Sequence, residues 1–299
     1  MFIMLTLTLT GLDLKNPLML AAGVMGTTGS SLKRAMEGGA GAVVTKSVGI
    51  EPKSGHSNPT MVEADCGYLN AMGLPNPSYK NFQGEIDLAR EGGVPVIASI
   101  FGANSDEFSE ISRTLCADAF ELNVSCPHAC GYGAQVGSDP ALVEEITKAV
   151  KNASTSPVWV KLTPNVTDIK SIGLAAQRGG ADAVVAINTV RAMAIDVESG
   201  YPILGNKFGG MSGRAIKPIA IKCVYDLYEA LEIPVIGVGG ISDWRDAVEF
   251  IMAGARAVQI GTAVGNNINI FNDISSCMES FMEEKEWTLD DICGMAHKK

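Results

Sequence analysis

Short apolar runs ending in small or polar residues alternate along the chain with longer stretches in which apolar residues recur every three to four positions. The first pattern suits buried strands and the second amphipathic helices, so the chain predicts repeated βα units. Strands are expected at Pro17 to Ala22, Ala42 to Lys46, Pro95 to Ile100, Ala119 to Val124, Val158 to Leu162, Ala183 to Ile187, Pro234 to Val238 and Ala257 to Ile260. Helices are expected at Ser30 to Glu37, Ser105 to Cys116, Asp139 to Asn152, Asp168 to Arg178, Ala215 to Leu231 and Asp243 to Ala253. Several open on Ser or Asp, whose side chains satisfy the first free amides, and several close on Gly. Gly38-Gly39, Gly92-Gly93, Gly179-Gly180 and Gly254 stand in comparable places just before a strand, which is the repeat of a βα unit rather than of a solenoid. Eight such strands fit one closed α/β barrel, the (β/α)8 or TIM architecture, as a single domain over residues 1–299.

Two connections are too long for ordinary βα loops. Val48 to Lys80 is rich in Pro, Gly, Asn and Ser, yet Gly67 to Asn76 mixes apolar anchors with amides, which a flexible linker would not. Segments of this size in compact domains are usually functional or carry small strands of their own. Val190 to Gly213 follows the sixth strand and ends in Gly209-Gly210-Met211-Ser212-Gly213. Either excursion could lie over the barrel mouth as an active-site loop.

Composition narrows the class. With 46% hydrophobic residues over 299 positions, the chain can bury a large core, whether as one barrel or two domains. Lys+Arg 23 against Asp+Glu 33 leaves a net charge of −10, which argues against a nucleic-acid or anionic-membrane surface. No apolar run approaches the roughly eighteen residues of a membrane span, and Met1 to Leu9 lacks the basic start of a signal peptide, so a cytoplasmic protein is expected. The seven cysteines are an odd number in a large chain, which disfavours a disulfide framework.

The candidate chemistry sits at strand ends. Ala119 to Val124 runs out into Asn123, Ser125 and Cys126, and Pro127 biases the thiol onto a defined turn. Cys126 is either a rim group or an inert buried thiol. Lys46 and Lys161 each end an apolar strand. If buried there, each needs an anionic partner or an electron-rich ring; otherwise each is a surface lysine just past its strand. Asn70, Asn76, Asn123, Asn188 and Thr189 add amides and a hydroxyl, which suit a flat heterocycle carrying alternating C=O and N–H groups. Gly239-Gly240 ends the seventh strand and Gly261-Thr262 the eighth. In barrels of this kind these two junctions commonly hold a phosphate, because glycine lets amides converge where a helix begins.

Taken in order, these motifs resemble a known family. Asn16-Pro17 with Ala21-Ala22-Gly23, Thr45-Lys46-Ser47, Asn70 to Pro77, Asn123-Val124-Ser125-Cys126-Pro127, Val160-Lys161-Leu162, Asn188-Thr189, Gly209 to Gly213 with Ala215-Ile216-Lys217-Pro218, Gly239-Gly240 and Gly261-Thr262 are together similar to dihydroorotate dehydrogenases of the cytosolic class. The Ala215 to Pro218 and Asn70 to Asn76 stretches are closer to the catalytic subunit of the two-subunit, NAD-linked subclass.

The resemblance implies oxidation of (S)-dihydroorotate to orotate in pyrimidine synthesis, with FMN over the barrel mouth. The phosphate would lie on Gly213, Gly239, Gly240, Gly261 and Thr262, and the ring near Ala22, Lys46, Ser47, Ser99, Asn123, Lys161 and Ile187. Substrate would meet Lys46, Asn70, Ala71, Met72, Gly73, Leu74, Asn123, Asn188 and Thr189, with Cys126 as the base. It also implies a homodimeric core that recruits a subunit carrying FAD and an iron–sulfur centre. His128 stands where the family commonly has Asn, Ser99 where Asn is frequent, and Ala22 where Ser is frequent. The Ser-Cys-Pro-His wording also resembles the pyrimidine-reducing barrel of dihydropyrimidine dehydrogenases, which act on uracil and thymine. From another class, Cys126, His128 and Cys130 could form a metal clip in a binding protein, although paired Cys-x-x-Cys spacing is absent.

Overall fold

In the computed structural model, which describes residues 5–125 and 136–298, eight parallel strands close into a barrel in chain order. They are β1 (Leu18–Leu20), β2 (Ala42–Val44), β3 (Val96–Ile100), β4 (Ala119–Asn123), β5 (Val158–Leu162), β6 (Ala183–Ala186), β7 (Val235–Val238) and β8 (Ala255–Ile260). The ring shuts where β8 meets β1, with Val258 beside Leu18 and Ile260 beside Leu20. Every residue of these strands is buried except Asn123 and Arg256. Burial on both faces explains why the strands read as continuous apolar runs instead of alternating ones.

Helices Gly29–Glu37, Gln83–Arg90, Ser105–Thr114, Pro140–Ala153, Ile169–Arg178, Lys217–Ala230, Trp244–Met252 and Ile270–Lys285 surround the barrel. The expected aspartate caps are in place: the Asp139 side chain accepts from the amides of Ala141 and Leu142, and Asp168 does the same for Lys170 and Ser171, whereas Thr28 and Asn104, not Ser30 and Ser105, cap the helices that begin at Gly29 and Ser105. Besides the short helix Leu289–Ile292, two of these helices go beyond the sequence reading, Gln83–Arg90 and Ile270–Lys285. Neither start is marked by a side-chain cap, since Phe82 and Asn269 make no such hydrogen bond. The segment expected as one helix from Ala215 begins instead as a tight 3-10 turn, Arg214–Ile216, and becomes α-helical at Lys217. The last strand starts two residues earlier than its apolar pattern suggests. Arg256 lies on it, half-buried, and pairs with Asp290 outside the barrel.

A hairpin, Leu7–Leu9 with Leu12–Leu14, floors the barrel. Its Thr10-Gly11 turn has both residues at positive φ, 50° and 86°, which matches the twist of tight hairpins. Leu7, Leu9 and Leu14 are buried, and Thr10 Oγ1 accepts from Trp159 Nε1 at 3.0 Å, tying the hairpin to the start of β5.

The two long excursions meet each other. Met61–Ala64, Gly67–Asn70, Gly209–Ser212 and Val190–Ala192 form a four-stranded antiparallel sheet, with Leu69 opposite Met211. It has its own small core of Leu69, Ala71 and Leu204. Among the described residues, no helix is long and apolar enough to cross a membrane.

Candidate functional site

Residues two apart on a strand share a face, so Glu121 and Asn123 on β4 point the same way, as do Trp159 and Lys161 on β5. The register sets Asn123 beside Lys161 and Glu121 beside both Ser99 and Trp159. The result is a polar layer in the barrel interior. Lys161 Nζ lies 3.2 Å from Glu121 Oε1 and donates to Gln259 Oε1 at 3.0 Å, while Gln259 Nε2 donates to Glu121 Oε2 at 2.6 Å. All three are at least nine-tenths buried. A buried amide both accepts from the cation and donates to the anion, so it satisfies the pair that it links. Glu121 Oε1 faces the ammonium without hydrogen-bond geometry and has no donor of its own.

Above this layer the strand ends form a connected rim. Ser47 Oγ and Ser99 Oγ are 2.8 Å apart, Asn123 Nδ2 donates to Ser47 Oγ at 3.3 Å, and Asn188 Nδ2 donates to Asn123 Oδ1 at 3.3 Å. Asn188 Oδ1 accepts from the Thr189 amide at 2.8 Å. The chain reaches the small sheet through Gly210, whose α-carbon packs against the Thr189 side chain and whose carbonyl accepts from Asn70 Nδ2 at 3.3 Å. Side chains from β2, β3, β4, β6 and the excursions are thereby brought into one network.

The two lysines separate here. Lys161 finds its counter-ion inside the protein. Lys46, next to Ser47, is half-buried and has no hydrogen-bond or ion-pair partner for its ammonium among the described residues. Burial pushes its pKa below the ordinary lysine value. A desolvated cation of this kind favours an anionic ligand. Beyond Asn70 the chain turns through Gly73 and Leu74 at φ of 74° and 55°, and Asn76 Nδ2 braces the turn on the Leu74 carbonyl at 3.0 Å. Leucine rarely adopts that conformation, so the turn is held by its surroundings. Ala71 is buried and Met72 exposed beside it.

The glycine junctions converge as well. Gly213, Gly239 and Gly240 have φ of 88°, 137° and 80°. A Cβ on Gly240 would sit 2.8 Å from the Gly213 carbonyl oxygen and 3.0 Å from the Lys217 amide. Thr262, after Gly261, donates from Oγ1 to Ser212 Oγ at 3.0 Å and lies against Gly213. The Arg214–Ile216 turn and the Lys217–Ala230 helix both begin without a side-chain cap, and the amides of Ala215, Ile216 and Lys217 are bonded to the carbonyls of Cys66, Gly213 and Arg214. Crowded glycines where a helix begins fit a phosphate. Ala22 and Ile187 extend β1 and β6 into the same rim, with the Ile187 amide bonded to Val238.

Cys126, and with it His128 and Cys130, lies outside the described residues. Glu121 and Gln259 are polar groups that sequence reasoning missed; their only signal was a carboxylate and an amide in the middle of largely apolar strands.

The chain matches the family model described as dihydroorotate dehydrogenase over residues 4–282. A protein of Methanocella arvoryzae named dihydroorotate dehydrogenase B (NAD(+)), catalytic subunit, is 65% identical over 289 residues, covering 96% of each chain. Proteins of the same name from Methanosarcina mazei and Methanocaldococcus jannaschii are 64% and 52% identical, covering 97% and 99% of this chain and 95% and 99% of theirs. A barrel whose strand ends carry this rim and this glycine cradle, matched along nearly its whole length, belongs to the dihydroorotate dehydrogenase family of flavin-dependent oxidoreductases.

Proposed function

We propose that this chain oxidises (S)-dihydroorotate to orotate in pyrimidine synthesis, with FMN as its flavin and one barrel domain holding both. The observation that carries the reading is the connected rim from Ser99 to Asn70 with, beside it, a Lys46 ammonium that has no partner among the described residues. Matched amide donors and acceptors suit the C=O and N–H groups of the pyrimidine ring, and the ammonium suits its carboxylate. In this reading Lys46, Asn70 to Leu74, Asn123, Asn188 and Thr189 hold the substrate in one orientation. Cys126 Sγ takes the proton from C5, so that a C5=C6 double bond forms as hydride leaves C6. FMN, when bound, supplies the acceptor for that hydride. Ala22, Lys46, Ser47, Ser99, Asn123, Lys161 and Ile187 would face its ring, and Gly213, Gly239, Gly240, Gly261 and Thr262 its phosphate.

The names of the relatives, catalytic subunits of an NAD(+)-linked enzyme, support a separate electron-transfer subunit; in the proposed assembly that subunit carries FAD and an iron–sulfur centre and takes electrons from a homodimeric core of this chain in the cytoplasm. Anaerobic addition of dihydroorotate to the purified yellow protein tests the function: the flavin band should bleach, and dihydrouracil should leave it unchanged. Bleaching by dihydrouracil alone would replace this substrate with an uncarboxylated pyrimidine.

A further inference from the structure

The phosphate cradle is assembled from two segments that do not adjoin in sequence, Gly213 to Lys217 before β7 and Gly239 to Ser242 after it. Asp246, 2% exposed, grips both. Its Oδ2 accepts from the Ser242 amide at 2.9 Å, from Ser242 Oγ at 2.9 Å and from the Asp243 amide at 3.3 Å. Its Oδ1 accepts from Lys217 Nζ at 2.7 Å, at the first residue of the helix that follows Gly213. Arg214 adds a second tie, donating from Nη1 to Ser242 Oγ at 2.9 Å.

The cap of Trp244–Met252 needs only the Oδ2 contacts and the reciprocal Asp243 side chain. The Oδ1 contact across to Lys217 adds nothing to that cap. What it fixes is the approach of the two glycine walls, which touch where Gly240 meets the Gly213 carbonyl and the Lys217 amide. We propose that Asp246 is a positioning residue for the cofactor phosphate, acting through Lys217 and Ser242 to set the width of the cradle. This rests on the reading of Gly213, Gly239 and Gly240 as the phosphate site.

Riboflavin, which carries the ring of FMN without its phosphate, separates this role from a merely structural ion pair. Apoprotein made from the purified holoenzyme would be titrated with FMN and with riboflavin by flavin fluorescence, for the wild type, Asp246→Asn and Lys217→Met. The Asp246→Asn side chain keeps a single acceptor oxygen and no charge, so it cannot serve Ser242 and the Lys217 ammonium at once, and Lys217 retains only its bond to Glu249 Oε2 at 2.7 Å. The expected result is a wild type that prefers FMN, and an Asp246→Asn protein whose FMN affinity falls by about tenfold or more, the cost of a misplaced charge-assisted hydrogen bond, with riboflavin affinity unchanged. A parallel fall for both ligands, or no change in either, overturns the proposal. A wild type that binds FMN and riboflavin equally well removes the phosphate reading itself, a result distinct from the other two. Should Asp246→Asn not yield folded protein, Lys217→Met leaves the capping box intact and gives the same reading.

Discussion

Lys46 is a cation that the described residues leave uncompensated, and its protonation should be visible from outside. Burial lowers its pKa in the folded chain below 10.5. Between that lowered value and 10.5 the unfolded state binds more protons than the folded one, so the unliganded protein gains stability as pH rises through this window. Orotate binding should move the opposite way, complete while the ammonium persists and weakening as it is lost. Titration of orotate against the flavin spectrum from neutral to alkaline pH should show that fall in the wild type, and Lys46→Met should bind weakly and without it. In the proposed reading Cys126 takes the proton, on residue type and place in the sequence, since a thiol is readily deprotonated once its pKa is tuned. Cys126→Ala should slow flavin reduction by about 10²–10⁴-fold while orotate still binds, whereas Cys130→Ala should cost little. Stopped-flow reduction of the two variants decides between the thiols. Lys46, Asn123, Asn188 and Thr189 were legible because each is a polar residue closing an apolar run. Glu121 and Gln259 were not, because each makes sense only through a partner 138 positions away.

At the level of elements, the barrel strands could be read directly because both of their faces are buried and most run out into small or polar residues within two positions. The four-stranded sheet could not. Its strands come from two excursions separated by more than a hundred residues, and Gly209–Ser212 and Gly67–Asn70 have almost no apolar alternation of their own. What joins them is Leu69 and Leu204 packed with Ala71, a cluster too small to leave a pattern in either segment. That smallness makes the sheet separable from the barrel. Leu69→Ala removes most of its core, and truncating a buried leucine costs roughly 2–5 kcal/mol, which a satellite this size cannot absorb. The expected outcome is local: limited proteolysis cuts within residues 48–80 or 190–213, the KM for dihydroorotate rises more than kcat falls because Asn70 loses its position, and the main melting transition stays near wild type. A cooperative loss of the whole fold would show that the sheet is part of the barrel's folding unit.

For the whole molecule, the question is why a barrel with an apolar wall keeps an ion pair at its centre. The hairpin is tied to Trp159 at one end of the barrel and the polar rim stands at the other, so the Glu121, Lys161 and Gln259 layer lies between them. A buried pair of this kind contributes little net stability compared with apolar residues of the same volume, yet removing one member leaves an uncompensated charge and costs about 3–5 kcal/mol. The layer is therefore better explained by what it presents to the rim, a lysine held at one place, than by what it adds to the fold. A double-mutant cycle separates the two. Glu121→Leu alone should lower the melting temperature by several degrees and weaken flavin retention, whereas Glu121→Leu with Lys161→Met should regain most of the stability and none of the flavin affinity. If the double variant remained as unstable as the single one, the pair would be structural, and the polar layer would have to be reassigned from ligand binding to barrel closure.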